Sequence, residues 1–365
     1  MRKLVSPLAR QNRHALAVHG HPVKLGSCRS GASLLFLGLI LLLSVWGSHP
    51  LRGGSNDQSI PLTRSTAAIK TSHAGQVIEN LDLHVARGDA ITVTHDNVVI
   101  RSCRVYHETG HGISVSGAGN VTIENCEIVN AAPPIGNAAG TSIENCNIST
   151  YASPNLTVDR VTVRDGSSGV RLVESPGATI SNVEGYNFRG PFPRGQFVQF
   201  DKSHNSALTS FYVYSDPADS HVEDNVSVYN SENVKISRGL IDGNNSPSGV
   251  GIMYEGDSGG GKVREVDAVR MGNGAFSSYS RDVTFELTRS FDNIATDQGR
   301  GLPMSNALIW NVSSSGISIL RSSYTHPAKP NNIVWDASKA AALDVREDPN
   351  GMPMDMPVRN RFDWN

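Results

Sequence analysis

The sequence predicts an all-β chain wound as a parallel β-solenoid, in which short strands stack coil upon coil. Three observations predict it. One apolar frame recurs down the chain, a second type of short strand follows the frame in most repeats, and helical periodicity is scarce. The composition agrees: 365 residues include 35 glycines and only 18% charged side chains, as a turn-rich β protein requires.

The frame is plainest in residues 97–148. Val98-Val-Ile100-Arg-Ser-Cys103-Arg-Val105 is followed by Val121-Thr-Ile123-Glu-Asn-Cys126-Glu-Ile128 and by Thr141-Ser-Ile143-Glu-Asn-Cys146-Asn-Ile148. Each reads apolar-x-apolar-x-x-apolar-x-apolar. An apolar pair at spacing two is a short strand with one face inward, and the x-x step, often Asn or Ser, turns a corner. Copies without cysteine precede and follow it: Ile78-Glu-Asn-Leu81-Asp-Leu83, Leu156-Thr-Val158-Asp-Arg-Val161-Thr-Val163, Ala178-Thr-Ile180-Ser-Asn-Val183, Leu208-Thr-Ser-Phe211-Tyr-Val213 and Val234-Lys-Ile236-Ser-Arg-Gly239-Leu-Ile241. Val263-Arg-Glu-Val266, Val283-Thr-Phe285 and Ile317-Ser-Ile319 are shorter echoes.

The second strand type is Ala90-Ile-Thr-Val93, Gly112-Ile-Ser-Val115, Gly169-Val-Arg-Leu172 and Gly249-Val-Gly-Ile252. No single coil can bury its inner face, so stacking must build one continuous core. Over about residues 76–338 this pattern resembles the right-handed parallel β-helix superfamily, the pectin-lyase-like fold. The resemblance implies a single-stranded right-handed parallel β-helix of about 10–12 coils.

The ends read differently. Residues 1–30 carry six Lys or Arg and no Asp or Glu, and residues 32–47 are an uncharged apolar run. A basic segment before an apolar run is an export signal. A cleaved signal and a retained N-terminal membrane anchor both fit, since the run is slightly short for a span and Val45-x-Gly47 is a passable cleavage site. The expected organisation is a leader at 1–50, a linker and N-terminal cap at 51–75, the solenoid at 76–338 and a C-terminal cap or tail at 339–365. The solenoid is expected outside the cytoplasm, in the periplasm, extracellular or anchored facing outward, as a monomer.

Charge then excludes one class of partner. The chain has 32 basic and 34 acidic residues, so without the six leader cations 26 stand against 34. A net of −8 disfavours nucleic acid, which needs a basic footprint.

Cys103, Cys126 and Cys146 occupy one frame position and are expected as inward, unpaired thiols behaving as small hydrophobes. They have no His partner and no tetrahedral spacing, so no metal site is read from them. Gly256-Asp-Ser258-Gly-Gly260 copies the nucleophile segment of trypsin-like proteases, but it falls at a turn between coils, without that chemistry's His and Asp. Gly256-x4-Gly261-Lys262 is a broken P-loop: Val263 replaces the required hydroxyl and a strand follows. The sequons at Asn120, Asn155 and Asn225 use residues that solenoid corners use anyway.

Coil length carries the main functional clue. Early coils repeat at 20–23 residues, apart from a step of 15 between Ile143 and Val158, whereas Ile180, Leu208, Ile236 and Val263 stand 28, 28 and 27 apart. The additional residues precede the second strand of consecutive coils, and loops on one face of a solenoid build a wall. Aligning those strands puts Gln199, Ser227 and Met253 in one outward row and Asp201, Tyr229 and Glu255 in the next, with Tyr279 extending it. Asp201 and Glu255 would stand roughly 9–10 Å apart at the usual strand spacing, near the carboxylate separation of inverting glycosidases. Asp201, His221, Asp216 and Glu255 are therefore the catalytic candidates, with His221 as proton carrier and Asp216 to orient it. Arg189, Arg194 and Arg270 are candidates to grip a substrate carboxylate. Tyr229, Tyr254 and Tyr279 are candidates to stack on sugar, in a region that also holds Phe188, Phe192 and Tyr214.

Proteins resembling this fold act on acidic polysaccharides as lyases, hydrolases or C5-epimerases, and its lyases commonly use Ca2+ and a basic residue. The resemblance thus implies a polysaccharide partner and makes Ca2+ a candidate cofactor, while the residues themselves define no metal site. Tyr214-Ser-Asp216-Pro217 followed by His221 is similar to the Asp-Pro-His segment of mannuronan epimerases, but Ala218, Asp219 and Ser220 intervene. Two classes stay open: a polysaccharide-modifying enzyme (uronate lyase, C5-epimerase or glycoside hydrolase) and a non-catalytic carbohydrate-binding or structural surface solenoid.

Overall fold

Strand after strand pairs in parallel, each with the equivalent strand one coil away. The computed structural model describes residues 61–133, 144–190, 195–216, 219–220, 222–246, 249–293, 308–312, 314–326 and 333–362. The leader, Phe192, Arg194 and His221 lie outside the described residues. No helix among those described is long and apolar enough to cross a membrane.

Two sheets carry the solenoid, one of 14 strands and one of ten, through about nine turns, close to the expected 10–12 coils. The parallel ladder starts at Thr63–Ser65 and ends at Ala342–Glu347, wider than the frame read from sequence. The first sheet holds the long strands Thr157–Arg164, Thr179–Tyr186, Ala207–Tyr214, Lys235–Asn244 and Lys262–Met271 with their counterparts in other coils. Each bends at the second residue of the x-x step, where Arg160, Asn182, Ser210, Arg238 and Glu265 have φ of 50, 53, 53, 53 and 56°. One left-handed residue lets the chain turn a corner without breaking the ladder, and after glycine Asn bears that conformation most easily.

The frame's apolar positions form inward columns. Ile100, Ile123, Val158, Ile180, Leu208, Ile236, Val263, Phe285 and Ile319 are all buried, and so are the second-sheet residues Ile113, Ile148, Val170, Val198, Val226 and Ile252. At one place a large ring is accommodated by a glycine in the next coil. A Cβ on Gly239 would sit 2.1 Å from the Phe211 ring, and Phe211 and Gly239 are partners in adjacent coils.

Polar ladders secure the corners. Behind the second sheet, the backbone N–H groups of Ser153, Ser175, Ser203 and Ser231 donate to the hydroxyls of Ser175, Ser203, Ser231 and Ser258 at 3.1, 3.0, 2.8 and 3.0 Å. Ser258 also donates to Glu255 O at 2.7 Å and is fully buried, so the protease-like segment is a structural turn. Asn155 donates to Asn120 (3.1 Å) and Asn120 to Asn97 (3.2 Å), both at left-handed corners, while Asn225 is wholly buried.

One strand assignment is corrected. Ile148–Tyr151 belongs to the second sheet, between Ile113–Ser116 and Val170–Val173. The frame at residues 141–148 is therefore not a third copy of the cysteine repeat. The step of 15 disappears, because Val158 pairs with Ile123, giving one coil of 35 residues. Of the chain's four cysteines, Cys103, Cys126 and Cys146 are described, and each is unpaired and buried. Cys103 and Cys126 belong to the first sheet's inner column, whereas Cys146 stands at the entry to a second-sheet strand.

Candidate glycan-binding face

Between its core positions the second sheet carries two rows of residues; the first is covered at Ser227 and Met253, which are buried rather than outward as expected, and the second reaches solvent. In the first, Ser149 pairs with Arg171, Arg171 with Gln199, Gln199 with Ser227 and Ser227 with Met253. In the second, Tyr151 pairs with Val173, Val173 with Asp201, Asp201 with Tyr229 and Tyr229 with Glu255. Tyr279 continues the second row, its N–H donating to Tyr254 O at 2.8 Å. Strands of four residues place the second row outward because the alternate positions are committed to the core.

Tyr151, Tyr229 and Tyr279 are 55, 41 and 40% exposed, among the few large apolar side chains left in solvent. Two carboxylates stand among them. Asp201 has one carboxylate oxygen buried with no hydrogen-bond partner. Glu255 is half-buried and has no side-chain partner among the described residues; burial holds its carboxyl above the usual range. Behind Glu255, Asp224 is fully buried and pushed well above the usual range, first by burial and then by the charges of Glu223 and Glu255. Its Oδ1 accepts the N–H of Val250 at 2.8 Å. Buried asparagines set that position: Asn244 donates to Glu223 O at 3.0 Å and to Asn225 Oδ1 at 2.9 Å.

Of the residues selected from sequence, Asp201, Tyr229, Glu255 and Tyr279 are brought together as expected. Tyr254 is not a surface residue: it is fully buried and its hydroxyl donates to Val234 O at 2.9 Å, because the alternation that turns Glu255 outward turns Tyr254 inward. Phe188 is likewise buried, stacked on Phe197. Arg189 is already engaged, paired with Asp165 and donating to Asp219 O at 2.7 Å, so it staples neighbouring loops. Arg270 is on the first sheet and pairs with Asp242 at 2.5 Å. Asp216 lies in a tight turn whose carbonyl accepts the N–H of Ser220 at 2.7 Å. Tyr151 and the burial of Asp224 escaped the sequence reading. Tyr151 was hidden by the false third repeat. Recognising the 35-residue coil would have found it.

No group of His, Cys, Asp and Glu among the described residues could hold a metal ion.

Residues 67–187 match the family model of the right-handed β-helix region. The chain folds as a right-handed parallel β-helix. Among solved structures it is similar to the Dettilon tailspike protein (TM-score 0.55, 10% identity), over 78% of this chain and 61% of the tailspike's. It is also similar to a DFA-IIIase from Arthrobacter chlorophenolicus A6 in complex with DFA-III (TM-score 0.51, 9% identity, 80% of this chain and 82% of the other). A third is the GH136 lacto-N-biosidase from Eubacterium ramulus (TM-score 0.50, 8% identity, 76% and 61%). At these identities the likeness is one of fold. No curated protein matches the sequence.

Proposed function

We propose that this β-helix is exported, binds a linear polysaccharide along the outward face of its second sheet, and hydrolyses it there. The observation that carries the reading is the single row Tyr151, Val173, Asp201, Tyr229, Glu255, Tyr279, in which exposed tyrosines flank two carboxylates that form no ion pair among the described residues. Tyrosine faces take the apolar faces of sugar rings. The carboxylates are two coils apart, about 9.6 Å at the strand spacing, near the range for inverting hydrolysis. Glu255, whose burial favours the protonated form, gives its proton to the glycosidic oxygen. Asp201 takes a proton from a water that attacks the anomeric carbon from the opposite side. The leaving sugar departs as the alcohol and the configuration inverts.

Elimination beside a uronate is less well supported. Arg189 and Arg270, the described arginines expected to hold a substrate carboxylate, both have carboxylate partners within the protein. The names of two similarly folded proteins, the lacto-N-biosidase and the DFA-IIIase bound to DFA-III, fit action on glycans.

Incubating the exported protein with neutral polysaccharides and polyuronates tests the reading. New reducing ends without ultraviolet absorbance are expected. Absorbance from an unsaturated product would replace hydrolysis with elimination. Retention of glycan with neither signal would leave a binding solenoid without catalysis.

A further inference from the structure

A cavity of about 310 Å³ opens on the first sheet near the C-terminal end of the solenoid. Its floor is one row of outward residues on four successive strands: Asp267 pairs with Arg289, Arg289 with Ser323 and Ser323 with Arg346. One wall is the chain after the last strand, which brings Asp348 and Met354 to the rim; Leu287 supplies a second apolar surface.

Most of its charges already have partners. Arg289 grips Asp267 with two hydrogen bonds, 2.8 and 2.6 Å, and Met354 N donates to the same carboxylate at 2.7 Å. Arg321 pairs with Glu286, and Glu265 with Arg264 at 3.0 Å. The exceptions are Arg346, Asp348 and the Ser323 hydroxyl, which have no side-chain partner among the described residues. Arg346 is in the last strand and Asp348 just follows it, two residues on and roughly 7 Å along the chain. Arg346 and Ser323 are on adjacent strands, about 4.8 Å apart.

The cavity thus offers one guanidinium, one carboxylate and one hydroxyl beside two apolar surfaces. Three arginines and three carboxylates line it, so it favours neither a free anion nor a free cation. A pair of neighbouring hydroxyls meets both kinds of group at once: their oxygens accept from Arg346 and their protons go to Asp348. The apolar C–H face of a sugar ring then meets Leu287 and Met354. The volume lies at the lower end of the range for small-molecule sites, about 300–1,000 Å³.

We propose that this cavity is a second carbohydrate site, which takes a single neutral pyranose unit and is separate from the second-sheet row. It stands whether or not that row is catalytic, because it uses none of the same residues.

The test is carbon–proton NMR of the full chain labelled at methionine methyls, titrated with methyl glucoside, methyl galactoside, alanine and sodium sulfate, each to about 50 mM, where millimolar affinity saturates. The Met354 methyl should shift saturably with at least one pyranoside. Arg346→Ala and Asp348→Asn should each weaken that binding about tenfold or more, with melting temperatures unchanged. No shift with either pyranoside would overturn the proposal. So would a response to sulfate or alanine alone, which would mark an ion or zwitterion site, or a pyranoside response that both variants retain.

Discussion

Two faces of this solenoid carry similar residues and treat them in opposite ways. On the first sheet, Glu184 accepts from the Tyr186 hydroxyl at 2.7 Å and from the backbone of Asn360, Asp242 pairs with Arg270, and Asp267 is held by Arg289 and Met354. The chain after the last strand runs back over this face, and Asn360 donates to Val161 O at 3.1 Å and Asn182 O at 3.0 Å. Arg164 covers the Tyr186 ring at 3.9 Å. On the second sheet, neither Asp201 nor Glu255 forms an ion pair among the described residues, Lys202 standing near Asp201 but pairing with Glu174, and the tyrosines are exposed. Charges that the protein neutralises itself hold the solenoid together. Charges it leaves without partners beside exposed rings are kept for something else.

The widest test of that contrast swaps carboxylates for amides. Asp201→Asn and Glu255→Gln should each lower hydrolysis by about 10²–10⁴-fold, the usual worth of general acid–base catalysis. Both should leave stability within about 0.5 kcal/mol, as surface changes do. The pH profile of the parent should fall on its alkaline side, because Glu255 must keep its proton and loses it as pH rises through its raised pKa. Loss of folding in either variant, measured by thermal denaturation, would move that residue to the structural face.

Core matching comes next. Gly239→Ala should destabilise by about 1–3 kcal/mol, since the new methyl overlaps the Phe211 ring and neither side can retreat. Denaturant titration measures it. Smaller again, Asn360→Ala removes side-chain hydrogen bonds between the tail and two coils and should cost about 1–2 kcal/mol while sparing activity. A fall in activity without a fall in stability would erase the distinction between the faces.

Tyr229→Ala should weaken glycan binding by roughly 1 kcal/mol, about fivefold, as removal of an exposed aromatic contact does. The smallest effect concerns Asp224. Its carboxyl binds its proton more tightly folded than unfolded, so it withdraws stability as pH rises above the ordinary 3.8 and withdraws none below it. In Asp224→Asn the melting temperature should decline less steeply with rising pH than in the parent. An identical slope would show that Asp224 titrates normally.

The fold was legible because a solenoid repeats its demands. Each coil asks for apolar residues at the same places and a left-handed residue at the same corner, as Asn80, Asn125 and Asn182 show. The register of Asp201, Tyr229 and Glu255 followed from coil length alone. Legibility ended where local pattern and coil position diverge. Residues 141–148 copy the first-sheet frame, but Ile148 pairs with Ile113 and Val170 in the second sheet. Ion pairing was equally hidden. Arg189 and Arg270 look available in sequence because their partners, Asp165 and Asp242, stand 24 and 28 residues away, one coil in space.

The most direct measurement is hydroxyl-radical footprinting of the full chain with and without a polysaccharide that it retains. Tyr151, Tyr229 and Tyr279 should be protected together, and Trp335, which is as exposed but at the end of the solenoid, should label equally in both states. Protection of Trp335 with the three tyrosines unchanged would contradict the account.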